Sequence, residues 1–196
     1  AAFHASGACG SAMERLIRAG RVAGVLELTP HELTEEVLGA GWYQPVEPGR
    51  LTAAAERGIP QVVAPGGMEY LCYGPRDSIP VRFRRRPTYF HNALNANVRT
   101  SRREMATVGR VLAERLNRAT GPVAVAIPTK GWSVYGAPGG PLHDAAADAA
   151  LVRALTRNLR RDIRVHRLDL HINDPEFARH CSGLLLDFLA RPRAPV

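Results

Sequence analysis

The feature that most constrains the fold of this chain is a continuous apolar run, Pro-Val-Ala-Val-Ala-Ile, at residues 122–127. Gly121 precedes the run and Pro128 follows it, so the segment is too short for a helix of ordinary length. An unbroken apolar run of this kind is typical of a strand buried on both faces, as in parallel sheets covered by helices. The run therefore predicts a central parallel strand with helices on both sides.

Strand and helix signals alternate along the rest of the chain. The alternation, without an Asn-Gly hairpin signal, indicates βαβ units and a mainly parallel sheet. Right-handed crossovers then predict an α/β fold, a three-layer sandwich around a doubly wound, Rossmann-like sheet. We predict further strands at 21–28, 59–64, 88–91 and 163–170, helices at 10–19, 30–38, 49–57, 101–116, 145–159 and from 175 onward, and an irregular segment at 65–87.

Several predicted helices begin with capping signals. A Ser or Thr followed three residues later by Glu has the spacing of a capping box, and an Asp just before a helix is a favoured N-cap. The helix that begins near residue 175 also has one apolar face, which predicts packing against the sheet. The candidate caps are Thr29 with Glu32, Ser101 with Glu104, Asp144 and Asp174.

The composition supports one domain. The chain has 196 residues, of which 45% are hydrophobic, and we assign 1–190 to a single α/β domain and 191–196 to a frayed tail. No run reaches the length of a membrane span and no signal-peptide pattern opens the chain, so we expect no membrane association. Cys9, Cys72 and Cys181 are widely spaced, which argues against a disulfide framework or zinc site and favours the cytoplasm.

The net charge of +8 raises the question of nucleic-acid binding. Almost all of the positive charge comes from arginine, because Lys and Arg total 26 and Lys130 is the one lysine. The dense cluster is Arg82, Arg84, Arg85 and Arg86, and no recognised nucleic-acid-binding motif accompanies it. Nucleic-acid binding through this cluster is therefore the least favoured function that we consider.

Polar and glycine-rich segments follow the predicted strands. Because the carboxyl ends of parallel strands meet at one edge of a sheet, we expect these segments to form a cleft for a small polar or anionic ligand. The residue spacing indicates no set of metal ligands. The candidate ligand-binding residues are His4, Ser6, Gly7, Gly10, Gly66, Gly67, Glu69, His91, Asn92, Lys130, Gly131, Ser133 and Asn173, and the candidate catalytic residues are His171 and Asp169.

Each candidate group has a chemical role and a plainer alternative. Backbone N–H groups at 6–10 would hold an anion at a helix start, or the glycines there only form a tight turn. Lys130 would pair with a phosphate or carboxylate, or it is a solvated lysine. Asp169 and His171 would share a strand face as an acid–base pair, or His171 is a hydrogen-bonded interior residue. For Asn92 the alternative is an Asx-turn in a surface loop.

Eight segments together resemble the uncharacterised protein family 0261, which includes ATP-binding-like proteins and proteins like the tomato mosaic virus resistance protein. The segments keep their order and cover nearly the whole chain. They are 3–14 (FHASGACGSAME), 28–32, 59–67 (IPQVVAPGG), 74–80 (GPRDSIP), 91–101, 116–128 (LNRATGPVAVAIP), 130–151 and 169–178 (DLHINDPEFA).

The resemblance implies that this chain is the second of two α/β domains, with the N-terminal domain absent here and a partner in the whole protein. It also implies nucleotide binding, which leaves ATP and magnesium open as cofactors, and it establishes no reaction. Our first hypothesis is a domain that binds a nucleotide or another anionic small molecule, with or without catalysis. The second is a protein-interaction or assembly module without catalysis. We also expect a homo-oligomer.

Overall fold

The structure is a computed structural model that describes residues 9–45 and 47–190, so the predicted tail lies outside the described residues. None of the helices in the described part has the length and apolarity that crossing a bilayer requires. In chain order the described elements are α1 (Gly10–Arg18), β1 (Val25–Glu27), α2 (His31–Leu38), α3 (Ala53–Arg57), β2 (Gln61–Val63), β3 (Tyr70–Tyr73), the 3₁₀ turns Arg76–Ser78 and Val81–Phe83, β4 (Thr88–Asn92), β5 (Asn95–Arg99), α4 (Arg102–Asn117), β6 (Val123–Pro128), α5 (Ala145–Asn158), β7 (Arg164–Leu168) and α6 (Pro175–Ala190).

Within the described residues, four parallel strands form the main sheet, in the order β1-β2-β6-β7. The position of β6 is central, because Ala124 pairs with Val62 of β2 and Val125 pairs with Val165 of β7. All six residues of β6 are buried. The apolar run at 122–127 is therefore confirmed as the buried parallel strand that its sequence predicts.

Helices cover both faces of this sheet, and the predicted three-layer α/β fold is confirmed. Val63, Val125 and Ile127 pack with buried side chains of α2, α4 and α5 on one face. On the other face, Ala124 and Ala126 pack against the predicted apolar face of α6. The strands follow one another across the sheet in chain order. Right-handed crossovers between them therefore place the intervening helices on the same face.

A second, smaller sheet corrects the expectation that the chain forms no hairpin. This sheet is antiparallel, with the order β3-β5-β4, and β3 lies within 65–87, where we expected irregular structure. The turn of this hairpin contains no Asn-Gly pair. The Asn92 side chain instead accepts the Leu94 N–H at 2.8 Å, which makes an Asx-turn. The alternation of Ala96 and Val98 with polar residues is the signal that could have identified β5.

Two of the predicted helix caps are confirmed. At α4, the Glu104 N–H donates to the Ser101 hydroxyl and the Ser101 N–H donates to the Glu104 carboxylate, which completes the capping box. At α5, the Asp144 carboxylate accepts a backbone N–H of the first turn at 2.9 Å. Asp174 directly precedes α6, and its carboxylate accepts the His171 N–H at 2.8 Å.

The capping box predicted at Thr29 is wrong. The α2 helix begins at His31 with Pro30 in the N-cap position, and no side chain of a described residue makes a cap hydrogen bond there. The Glu32 carboxylate, which would complete the box, contacts the guanidinium of Arg50 at 3.2 Å instead. An ion pair in the interior is therefore made at the expense of a local capping interaction.

Arg50 is the centre of an ion cluster that the sequence does not predict. Its side chain is fully buried, and its guanidinium contacts Glu14 of α1 at 3.0 Å, Glu27 of β1 at 2.7 Å and Glu32 of α2. Three carboxylates thus satisfy the donors of one planar cation. The cluster joins three elements and the segment that leads into α3.

Replacing Arg50 with methionine tests this cluster. We expect Arg50→Met to lose about 3–5 kcal/mol of unfolding free energy, because buried carboxylates lose their partner. Urea unfolding at neutral pH measures the loss. The matched control is Arg15→Met, because the Arg15–Glu47 pair is exposed and such pairs contribute about 0–1 kcal/mol. Equal losses in the two variants would contradict the structural role of the cluster.

Candidate functional site

The carboxyl ends of β2, β6 and β7 lead into three loops that contact one another. Gly67, after β2, donates its N–H to the carbonyl of Trp132 at 3.2 Å. Ile172, after β7, donates its N–H to the carbonyl of Gly131 at 3.1 Å. The long loop at 129–144, after β6, therefore lies between the other two. The structure thus brings three of the predicted polar segments together at one edge of the sheet.

Glycines among the predicted ligand residues permit this close contact. A Cβ on Gly66 would lie 2.3 Å from the carbonyl oxygen of Leu28, so a side chain there would collide with the segment after β1. Gly131 has a φ of +138°, and a Cβ there would lie 2.8 Å from Cδ2 of His171. These contacts explain why glycine occupies positions 66 and 131 without any role in ligand binding.

His171 is held by the loops around it. Its Nδ1 accepts the Asn173 N–H at 3.1 Å, so in the neutral ring Nε2 carries the proton and donates to the Ser133 carbonyl at 3.2 Å. Two predicted ligand residues, Asn173 and Ser133, therefore contact His171 through their backbones. The imidazole ties the loop after β7 to the loop at 129–144.

Asp169 does not pair with His171 in this structure. The strand β7 ends at Leu168 and the chain turns there, so the two-residue spacing no longer puts both side chains on one strand face. The Asp169 carboxylate instead contacts Lys130 at 3.2 Å and accepts the Thr129 hydroxyl at 3.2 Å. The catalytic roles of Asp169 and His171 stay predictions.

Glu69 is a buried acid beneath the loop at 129–144. It is 1% exposed, and neither carboxylate oxygen has a hydrogen bond of normal geometry among the described residues. Burial raises the pKa of Glu69 to about 7, against smaller lowering effects of the Ser133 hydroxyl and the Arg99 cation. A Cβ on Gly136 would lie 2.6 Å from one carboxylate oxygen, so bare backbone of the loop covers the acid.

A row of aromatic rings crosses the outer side of the same loop. Tyr135 stacks on Tyr89 of β4 with 4.3 Å between ring centroids, and it makes an edge contact with Tyr70 of β3 at 6.4 Å. The Tyr135 hydroxyl lies 2.7 Å from Nδ1 of His91, and His31 continues the row beyond Tyr70. The predicted ligand residue His91 is therefore joined to the loop. No sequence signal marks the row, because its rings come from separate segments.

A cavity of about 370 Å³ opens on the side of the loop that faces α5, at the carboxyl end of β6. Within the described residues, the guanidinium groups of Arg153 and Arg167 make no ion pair or hydrogen bond, whereas Asp148 pairs with Arg99. Sequence reasoning misses both arginines, because they lie inside a helix and a strand rather than in a loop. The wall includes Thr129, Gly131, Gly136, His143, Asp148, Arg153 and Arg167.

The first predicted segment adds less to this edge. His4, Ser6 and Gly7 lie outside the described residues. Gly10 begins α1, and a Cβ there would lie 2.4 Å from Nε of Arg50. Three glutamates contact that guanidinium, so the start of α1 adjoins a cluster with a negative formal charge. Such surroundings do not attract an anion.

The fold and the edge define a class of protein, a three-layer α/β domain whose glycine-rich loops meet at the carboxyl ends of a parallel sheet. Comparison with known proteins identifies the family. Residues 1–189 match the model of the Uncharacterised protein family (UPF0261) C-terminal domain, and the chain belongs to this family. The resemblance drawn from its motifs is thereby confirmed.

Relatives of the chain come from bacteria and from a plant. A UPF0261 protein of Clostridium tetani (strain Massachusetts / E88) is 39% identical over 190 residues, 96% of this chain and 46% of that protein. A UPF0261 protein of Rhizobium meliloti (strain 1021) is 38% identical over 178 residues, 90% of this chain and 44% of that protein. The ToMV resistance protein Tm-1(GCR237) of Solanum lycopersicum is 35% identical over 193 residues, 97% of this chain and 25% of that protein. The chain thus spans less than half of the length of each.

The raised pKa of Glu69 predicts a pH dependence of stability. The unfolded carboxyl ionises near pH 4.5, whereas the folded one keeps its proton to about pH 7, so the unfolding free energy falls as the pH rises between these values. We expect Glu69→Gln to exceed the wild type in stability by about 1–3 kcal/mol at about pH 8 and to match it at about pH 4. Urea unfolding at both pH values measures the difference.

Glu35 provides the control for this experiment. Burial raises the pKa of Glu35 to about 7 as well, but its carboxylate accepts the backbone N–H groups of Tyr43 and Cys72. Because Glu35→Gln disturbs two satisfied donors, we expect it to lose stability at both pH values. A Glu69→Gln variant that gains nothing at about pH 8 would contradict the unsatisfied state of Glu69.

The close approach at Gly66 gives a further prediction. Gly66→Ala should lose about 2–3 kcal/mol of unfolding free energy, because its Cβ would meet a backbone carbonyl that cannot rotate away. The control is Gly39→Ala, at a φ of +57° with nothing within 4 Å of the added Cβ, which should lose about 1 kcal/mol. Urea unfolding measures both losses. A loss at Gly39 as large as that at Gly66 would mean that backbone strain alone explains both.

Proposed function

We propose that the chain binds a small anionic molecule, specifically a nucleotide, in the cavity at the carboxyl end of β6. The observation that carries this proposal is the pair Arg153 and Arg167, which line the cavity without an ion pair among the described residues. Small-molecule sites have volumes of about 300–1,000 Å³, and the cavity falls within that range.

The charges around the cavity favour an anion. Asp148 is an acid in the wall, and its carboxylate is paired with Arg99 from β5. Arg153 and Arg167 then leave a positive charge, and guanidinium groups suit phosphate oxygens in both charge and geometry. The start of α5 also adjoins the cavity, but Asp144 already accepts one of its N–H groups. The arginine side chains, more than the helix amides, are therefore the expected phosphate ligands.

The aromatic row favours a nucleotide over a simple oxyanion. Tyr135 directly precedes Gly136, which lines the cavity, so the row is one residue along the loop from the cavity wall. A base that extends over the edge of the loop would stack on such a ring while the phosphates reach the arginines. Lys130 and Ser133 belong to the same loop and would add contacts. His171 would act as an acid or base here only after leaving its two backbone contacts.

Magnesium enters this proposal together with the phosphates, which commonly carry it into protein sites. Among the described residues, no group of three or more His, Cys, Asp or Glu side chains is placed to hold a metal ion. In a protein as long as the bacterial relatives, residues outside the matched part would supply the further magnesium ligands. The cytoplasmic location and the homo-oligomer stay predictions.

Thermal unfolding with added ligands tests the proposal. The ligands are ATP, ADP, adenosine and pyrophosphate, each with and without magnesium. A ligand at about 100 times its Kd should stabilise the fold by about 2.7 kcal/mol, which is a Tm rise of about 5–10 °C. We expect the nucleotides to raise the Tm more than pyrophosphate does, and adenosine to raise it least.

Paired variants locate the response. Arg153→Gln/Arg167→Gln should abolish most of the Tm rise, because both proposed phosphate ligands are removed. Arg21→Gln/Arg179→Gln makes the same change in net charge at exposed positions outside the cavity, and it should keep the wild-type response. The proposal fails if no anion raises the wild-type Tm, or if the two double variants respond alike.

A further inference from the structure

A second charged surface lies between α4 and α5, and alanines form its floor while arginines form its rim. It is an open groove of about 470 Å³. The groove shares Arg153 with the cavity and otherwise has residues of its own. This arginine groove consists of Arg102, Arg103, Ala106, Ala150, Arg153, Ala154 and Arg157.

The groove results from the close packing of the two helices. Gly109 of α4 lies against the backbone of Leu151 in α5, where a Cβ would be 2.4 Å from the carbonyl oxygen. Ala106 lies one turn before this contact on α4, and Ala150 and Ala154 lie on either side of it on α5. Close helices with small side chains leave a trough between them, which the long arginine side chains border.

The four rim arginines have no counter-charge within the described chain. All of them are exposed, and none of their guanidinium groups makes an ion pair or hydrogen bond to another described residue. Other arginines differ, since Arg50, Arg86 and Arg99 each contact a carboxylate. Arg153 and Arg157 are four residues apart on one helix, a spacing at which like charges repel. A partner that carries carboxylates would remove this repulsion.

We infer that the arginine groove binds an acidic segment of a partner protein, with its carboxylates between the guanidinium groups and its small side chains on the alanine floor. Carboxylates suit this rim because they accept two parallel N–H bonds from one guanidinium. The net charge of +8 argues against a second copy of this chain as the occupant. The floor argues against a nucleic acid, because the groove has no aromatic side chain on which a base could stack.

Fluorescence anisotropy on the full-length protein, with a short labelled poly-L-glutamate peptide as the probe, tests this inference. Arg103→Glu/Arg157→Glu reverses two rim charges and leaves Arg153 in place. We expect it to weaken peptide binding by about tenfold or more. The control, Arg21→Glu/Arg179→Glu, makes the same change in net charge at exposed positions elsewhere and should weaken binding by less than about twofold.

Three results would overturn the inference. Equal weakening in both double variants would show that net charge, not the groove, attracts the peptide. Tighter binding of labelled oligouridylate, lost in the rim variant, would make the groove a nucleic-acid surface. If the wild type does not bind the peptide, the groove does not bind acidic segments. Because the rim variant keeps Arg153 and Arg167, its Tm response to nucleotides should match the wild type, which separates this test from that of the cavity.

Discussion

The buried guanidinium of Arg50 is the interaction on which the first half of the domain depends. Apolar contacts alone are non-directional, so they leave short helices such as α1 and α3 free to shift against the sheet. A planar cation with carboxylates on three elements admits few arrangements, and Arg50 meets Glu14, Glu27 and Glu32 at once. We attribute the placement of α1 and α2 around β1 to this constraint.

At the carboxyl edge of the sheet, several of the polar and glycine residues predicted to bind a ligand have structural roles instead. Gly66 and Gly131 permit close approach, His171 bridges two loops, and Asn92 turns a hairpin. The groups with unmet hydrogen-bonding or charge needs are others, among them the covered acid Glu69 and the arginines of the cavity. A ligand gains free energy mainly from groups that the protein has left unsatisfied. Uncommitted polar groups, more than polar groups as such, therefore mark the candidate site.

Sequence predicts this fold well where neighbouring residues decide the structure. The run at 122–127 is a buried strand because of its own apolarity, and the Ser101 cap depends on a residue three positions away. Prediction fails where a distant partner decides. Glu32 leaves its expected cap for Arg50, eighteen residues on. The cavity arginines cannot be predicted from the sequence either, because the spacing of residues along the chain does not show which charges remain unpaired after folding.

The strand order also governs the sequence of events during synthesis. Each strand of the main sheet adds beside the previous one, so a growing chain can extend the sheet and cover one face as it emerges. The opposite face, with Val62, Ala124 and Ala126, is packed against α6, which is the last of the described helices. On the ribosome α6 cannot cover this apolar face until residues 175–190 have left the exit tunnel. During that interval it is a surface for chaperones or for aggregation.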